Sequence, residues 1–207
     1  MRRVTLLFAL LFGALAALGQ TGTEVLREVG EKMEAMGNYR IDFELEMTSA
    51  TDSSKGYCLI GTPLYLIAID GAGEADGMKQ GFDGERMWMY DGISREIVYD
   101  NHKPQSHNLF ENPTKAFDFS EELFAVVDVE NEGDVWSITL EPREGVLDGI
   151  ERVVLDVDRR TLLPTRLGYD MAGAGIYINI VKIGSVATTV DDFRVTIPEG
   201  FEVIDFR

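Results

Sequence analysis

Histidine and cysteine are almost missing from this chain, which holds two of the first and one of the second in 207 residues. A lone Cys58 cannot close an intramolecular disulfide, and burial is what keeps such a thiol unreactive. His102 and His107, five apart in an expected loop, have no Cys or carboxylate at a helical ligand spacing beside them, so no metal ligand is assigned. A phosphate loop, a calcium loop and a nucleophile elbow are also missing. Carboxylates are so abundant that some pair must fall at a glycosidase separation by chance, so no catalytic residue is assigned either. No cofactor is expected. Basic residues are scarce: Lys and Arg number 19 against 36 Asp and Glu, a formal charge of −17. That balance opposes binding to nucleic acid and docking on anionic headgroups.

Only the first residues carry an extended apolar run. Arg2 and Arg3 precede Val4–Leu18, and Ala17-Leu18-Gly19 stands ahead of Gln20. A charged start, a short apolar stretch and small residues at a cleavage position make a secretory signal, expected over residues 1–19. The run falls short of the ~20 residues that span a bilayer. No cysteine follows it to take a lipid, so the chain is expected to be exported and released. Residues 20–207 then suit one domain.

After the signal, Val25, Leu26, Val29, Met33 and Met36 recur near a 3.6-residue period, with Thr23 as an N-cap and Gly37 as a stop. This predicts an amphipathic helix. In "YRIDFELEMT" the period becomes two: Tyr39, Ile41, Phe43, Leu45 and Met47 share one face, the charged residues the other. "YCLIGTPLYLIAID" is interrupted at Pro63, which predicts two strand pieces around a bend. Asp83-Gly84 and Asp91-Gly92 fence "FDGERMWMYDG", and Asp-Gly suits tight hairpins. A three-strand meander follows, with Met87, Trp88, Met89 and Tyr90 in its middle strand. Those bulky residues serve either as core or as a soft, repacking ligand surface. Asn112-Pro113 predicts a short helix over Pro113–Phe117. Strands are expected again from Leu123 onward, ending in a pair near Phe193–Ile197 and Phe201–Asp205. About ten or eleven short antiparallel strands with short helices exceed what a flat sheet tolerates, which predicts a curled half-barrel of mainly β, α+β class.

Taken in order, these motifs resemble the periplasmic outer-membrane lipoprotein carrier family (LolA-like). The carriers of the resemblance are the first helix, "YRIDFELEM", "GYCLIGTP", "DGERMWMY", "NPTKAF", "DVDRRTLLPTRL" and the ending "FRVTIPEGFEVIDFR". The resemblance implies an open antiparallel half-barrel whose concave apolar face is covered by short helices and takes acyl chains of lipoproteins. Its implied lipid-binding wall is Tyr39, Ile41, Phe43, Leu45, Ile60, Leu66 and Trp88. Its implied lid residues are Val29, Met33, Phe110 and Phe117. The implied partners are acylated lipoproteins, an inner-membrane lipoprotein-releasing transporter and an outer-membrane acceptor, met by a monomer in the periplasm. The chain departs from the pattern at Thr62, where family members usually place an arginine that ties lid to barrel.

Two other readings stay open on the sequence. A lipid-binding sensor or scaffold domain would use the same shell for lipid or for a protein partner. A hydrolase working through carboxylates ranks last. The helices, too, are either a movable lid or a permanent cover.

Overall fold

Alternation makes Tyr39–Met47 the reference strand: Tyr39, Ile41, Phe43 and Leu45 are buried, while the residues between them stay partly exposed. Around it, the computed structural model describes residues 22–51, 53–70 and 77–206. The expected signal over residues 1–19 lies outside the described residues.

The chain begins with helix α1, residues 22–35. Its apolar stripe of Val25, Leu26, Val29 and Met33 is buried, as the 3.6-residue period requires. Twelve strands follow: β1 (Tyr39–Met47), β2 (Ser54–Gly61), β3 (Leu64–Ile69), β4 (Met78–Phe82), β5 (Met87–Asp91), β6 (Glu96–Asp100), β7 (Phe124–Glu132), β8 (Val135–Pro142), β9 (Ile150–Asp158), β10 (Pro164–Met171), β11 (Ala174–Ser185) and β12 (Glu202–Phe206). They form a single sheet in the order β12-β6-β5-β4-β3-β2-β1-β11-β10-β9-β8-β7. The order does not close on itself, so β12 and β7 are its two edges and the barrel stays open.

Hydrogen bonds demonstrate the curl. Strands β4 and β10 stand five spacings apart, ~24 Å in a flat sheet. Yet Gln80 of β4 donates to the Phe110 carbonyl, and Tyr169 of β10 accepts from the N–H of Leu109. Two adjacent residues, ~4 Å apart along the chain, are thus reached from both strands. The sheet wraps around them.

Four expectations need correction. There are twelve strands, not ten or eleven. The predicted helix at Pro113–Phe117 is a string of turns: Lys115, Ala116 and Asp118 donate to carbonyls three residues back, at Asn112, Pro113 and Lys115. So short a segment gains too few bonds to offset helix nucleation; α1 is therefore the only α-helix among the described residues. No strand forms near Phe193–Ile197; a 3-10 helix occupies Val190–Phe193 instead. Last, β12 is not antiparallel but runs parallel to β6. The chain leaves β11 in mid-sheet, crosses the outer face through residues 186–201 and arrives at the far edge in the same direction as β6, the kind of long crossover a parallel pair needs.

Candidate functional site

The pleat assigns every strand residue to one of two faces, and register carries that assignment across the sheet. Ile41 pairs with Cys58, Cys58 with Ile67 and Ile67 with Gln80. In the other direction Leu45 pairs with Ile178, Ile178 with Leu167 and Leu167 with Leu155. These residues line the inner face. Apart from Gln80, they belong to one buried cluster together with α1 and residues of the 109–124 segment.

Of the wall implied by the resemblance, Tyr39, Ile41, Phe43, Leu45 and Ile60 lie on this inner face. Leu66 and Trp88 do not. Leu66 pairs with Leu59 and with Gly81, and Gly81 pairs with Trp88, which places both on the outer face. There they form a separate cluster with Tyr90, Ile97, Val195 and Phe201. The physical reason is one residue of phase: neighbours in a strand point to opposite faces. The crossover segment seals that outer cluster. The indole Nε1 of Trp88 donates to the Phe193 carbonyl at 2.9 Å, and Tyr90 stacks on Phe201 with centroids 5.0 Å apart.

The implied lid residues do come together. Val29, Met33 and Phe117 are buried in the inner cluster, and Phe110 packs against it with its ring edge-on to Phe43 at 6.4 Å. Two kinds of attachment hold this cover. The 109–111 backbone is pinned by three side chains: Tyr65 Oη donates to the Glu111 carbonyl at 2.7 Å, Gln80 donates to Phe110, and Tyr169 Oη accepts from Leu109 at 3.0 Å. Helix α1 is held by apolar contact. Among the described residues no ion pair joins α1 or the 103–123 segment to the sheet; Arg27 of α1 pairs with Glu28 and Glu31 on its own helix. The threonine at position 62 thus leaves no charged latch.

Between α1 and residues 114–121 opens a cleft of about 690 Å³, where apolar Leu26, Met33, Tyr39, Phe117 and Phe119 share the lining with Thr62 and with charged Arg27, Glu34, Asp118 and Glu121. The volume lies within the ~300–1,000 Å³ of ordinary ligand sites.

The interior is electrically quiet. Burial pushes the phenols of Tyr39, Tyr65 and Tyr169 and the thiol of Cys58 upward, so all four are neutral. Such a lining favours hydrocarbon. Among the described residues no group of three His, Cys, Asp or Glu side chains converges as a metal would need. His102 lies against Asp100 at 2.6 Å, on the surface.

Sequence reasoning missed Tyr65, Gln80 and Tyr169, because which backbone a side chain pins depends on how far the sheet curls. It also left out Leu155, Leu167 and Ile178, although alternation within β9, β10 and β11 was a usable signal for them.

No protein-family model matches the sequence, and no curated protein sequence matches it at a significant score. Solved structures do match. An uncharacterized conserved protein from Thermus thermophilus superposes with a TM-score of 0.58 at 10% identity, covering 87% of this chain and 98% of its own. A DUF1329 family protein from Desulfovibrio piger gives 0.51 at 12%, covering 85% and 97%. An outer-membrane lipoprotein-sorting protein domain from Vibrio parahaemolyticus gives 0.50 at 12%, covering 84% and 97%. The chain has a LolA-like fold. At these identities the likeness is one of fold, and it extends over more than four fifths of each chain.

Proposed function

We propose that this protein is a periplasmic carrier that holds the acyl chains of lipoproteins between the inner face and its cover and conveys them toward the outer membrane. In this reading it receives cargo from an inner-membrane lipoprotein-releasing transporter and passes it to an outer-membrane acceptor. One observation carries the proposal: an apolar inner face, left open by the sheet, is closed by a helix that no ion pair among the described residues ties to the sheet. The wall is then Tyr39, Ile41, Phe43, Leu45 and Ile60, and the lid is Val29, Met33, Phe110 and Phe117.

Loading works by exchange. The inner face is filled by the protein's own side chains, so an acyl chain must displace part of α1 to reach it. Each CH₂ withdrawn from water contributes ~0.8 kcal/mol, on the order of 10 kcal/mol for one long chain. The chain re-covers the apolar surface that α1 exposes, which keeps the opening from costing its full hydrophobic penalty. No catalytic group takes part.

Native mass spectrometry of protein purified from its own periplasm tests the reading. The expected result is a population heavier by an acylated polypeptide, lost after delipidation. Protein that arrives only as apo chain, or bound to an unacylated partner, refutes carriage; the second outcome favours a scaffold.

A further inference from the structure

On the far side of the cover from the α1 cleft lies a second cavity, of about 390 Å³, between residues 105–111 and the β8–β9 connection. Both its walls are fixed. The first is held by the three side chains that pin Leu109, Phe110 and Glu111. The second is held by Arg143, whose Nε donates to the Glu121 carbonyl at 2.9 Å and whose backbone N–H donates to Leu123 at 2.8 Å. The site is therefore preformed, unlike the cleft beside α1.

Its lining is rich in uncommitted hydrogen-bonding capacity. Ser106 Oγ accepts from the Asn108 N–H at 3.1 Å, and Asn108 Oδ1 accepts from the Phe110 N–H at 2.9 Å. Those bonds engage the acceptors and leave the Ser106 hydroxyl hydrogen and the Asn108 amide hydrogens to donate. Glu111 and Asp148 supply acceptors, and Gln105 supplies both kinds. The Nδ1 of His107 is buried with no hydrogen-bond partner, a state that asks for a ligand or a water. Leu147, Val146 and Leu123 form an apolar floor continuous with the inner core. No lysine or arginine lines the cavity among the described residues, and two carboxylates do. A phosphate or a fatty-acid carboxylate meets repulsion there.

Mixed donors and acceptors without positive charge, over an apolar floor, suit a group whose every oxygen both donates and accepts. We propose that this cavity binds a neutral polyhydroxylated group, a hexose or a glycerol, either free or as the head of an acylated lipid. The free-group form is independent of the carrier reading, and the lipid-head form rests on it.

The test titrates the ¹⁵N-labelled full chain, followed by NMR, with methyl glucoside, glycerol, octyl glucoside, octanoate and inorganic phosphate. Methyl glucoside or glycerol is expected to shift residues 105–111 and 145–150 saturably and to move the His107 Nδ1 resonance. Phosphate is expected to do neither. Octyl glucoside is expected to bind about ten-fold more tightly than octanoate, and Asp148→Ala with Gln105→Ala, both at exposed positions, to erase that difference. The imidazole resonance keeps the test valid if a variant folds poorly. If neither polyol shifts the cavity, or phosphate binds as well, the proposal fails. Equal binding of octyl glucoside and octanoate at the α1 cleft alone overturns the subsite and leaves the carrier reading standing. Methyl glucoside binding without any gain from the octyl chain upholds the subsite in its free-group form and overturns its lipid-head form.

Discussion

Removing one phenolic oxygen at a time measures how firmly the cover is pinned, and the two tyrosines involved are not equivalent. In Tyr65→Phe the Glu111 carbonyl loses its donor, and an acceptor with two lone pairs tolerates that loss better than a lone N–H does. The loss is that of one ordinary hydrogen bond, about 1 kcal/mol. In Tyr169→Phe the group left behind is the N–H of Leu109, a residue with no exposed surface. A buried donor without an acceptor loses more, about 2 kcal/mol and within a range of roughly 1–3. For a chain of this size each kcal/mol lowers Tm by roughly 2–4 °C. Tyr169→Phe should therefore melt about 4–8 °C below wild type and Tyr65→Phe about half as far below.

Urea titration supplies the free energies, with the slope m expected to stay constant because neither change alters the surface exposed on unfolding. Hydrogen exchange at the Leu109 amide localises the effect: it should be protected in wild type and in Tyr65→Phe, and fast in Tyr169→Phe. The double variant should lose less than the sum, since both bonds hold the same three residues. If Tyr65→Phe proves as costly as Tyr169→Phe, or the Leu109 amide exchanges freely in wild type, the pinned-cover account is wrong.

A disulfide from Gly22→Cys to Val129→Cys in a Cys58→Ser background should block acyl loading when oxidised and restore it when reduced; a Cβ at Gly22 already meets Val129 Cγ2 at 2.8 Å, so bridging distance is close. Equal loading rates of the two forms would show that α1 does not move for cargo. Trp88→Phe should lower stability by about 1 kcal/mol through its lost bond to Phe193 yet leave binding of an apolar dye unchanged, because Trp88 faces away from the inner surface; lost dye binding at intact fold contradicts the assignment of faces. Asp158 is held below the ordinary carboxyl value of 3.8, first by the Thr161 hydroxyl and then by the Thr161 N–H. Its contribution is therefore complete above that value and lost as pH falls through the lower, folded-state value. The urea midpoint of Asp158→Ala should lie below wild type at neutral pH and approach it as the pH falls below 3.8; a constant gap would refute the linkage.

Strand identity was legible wherever the two faces of a strand differ in polarity. Tyr39–Met47 announced its phase because charge alternates with apolar residues, and the structure keeps that phase. Trp88 and Leu66 were harder. Their strands are apolar on both sides, since the outer face of β3 to β6 is itself covered by the crossover segment. With both faces buried, polarity no longer reports phase, and only register does. The parallel pairing of β12 was hidden for a related reason: its sequence shows a strand but not which edge it joins. Pro113–Phe117 failed differently. A proline after a cap-forming asparagine marks the start of a helix, but the segment that follows is too short to repay nucleation.

The same contrast explains how one shell can be stable and still open. The strands that carry the inner face are tied to one another by ladder hydrogen bonds, so the wall resists deformation. The 109–111 segment is tied to that wall by neutral bonds to backbone groups, which neither salt nor physiological pH weakens much. Among the described residues helix α1 meets the sheet through apolar contacts, and these can be replaced by the methylenes of a hydrocarbon chain. An arginine latch at position 62 would add an interaction that hydrocarbon cannot reproduce, so opening would need an outside trigger. In the carrier reading, threonine there lets the stripe of Val25, Leu26, Val29 and Met33 compete with cargo on equal chemical terms. That reading makes opening depend on how much apolar surface the cargo offers.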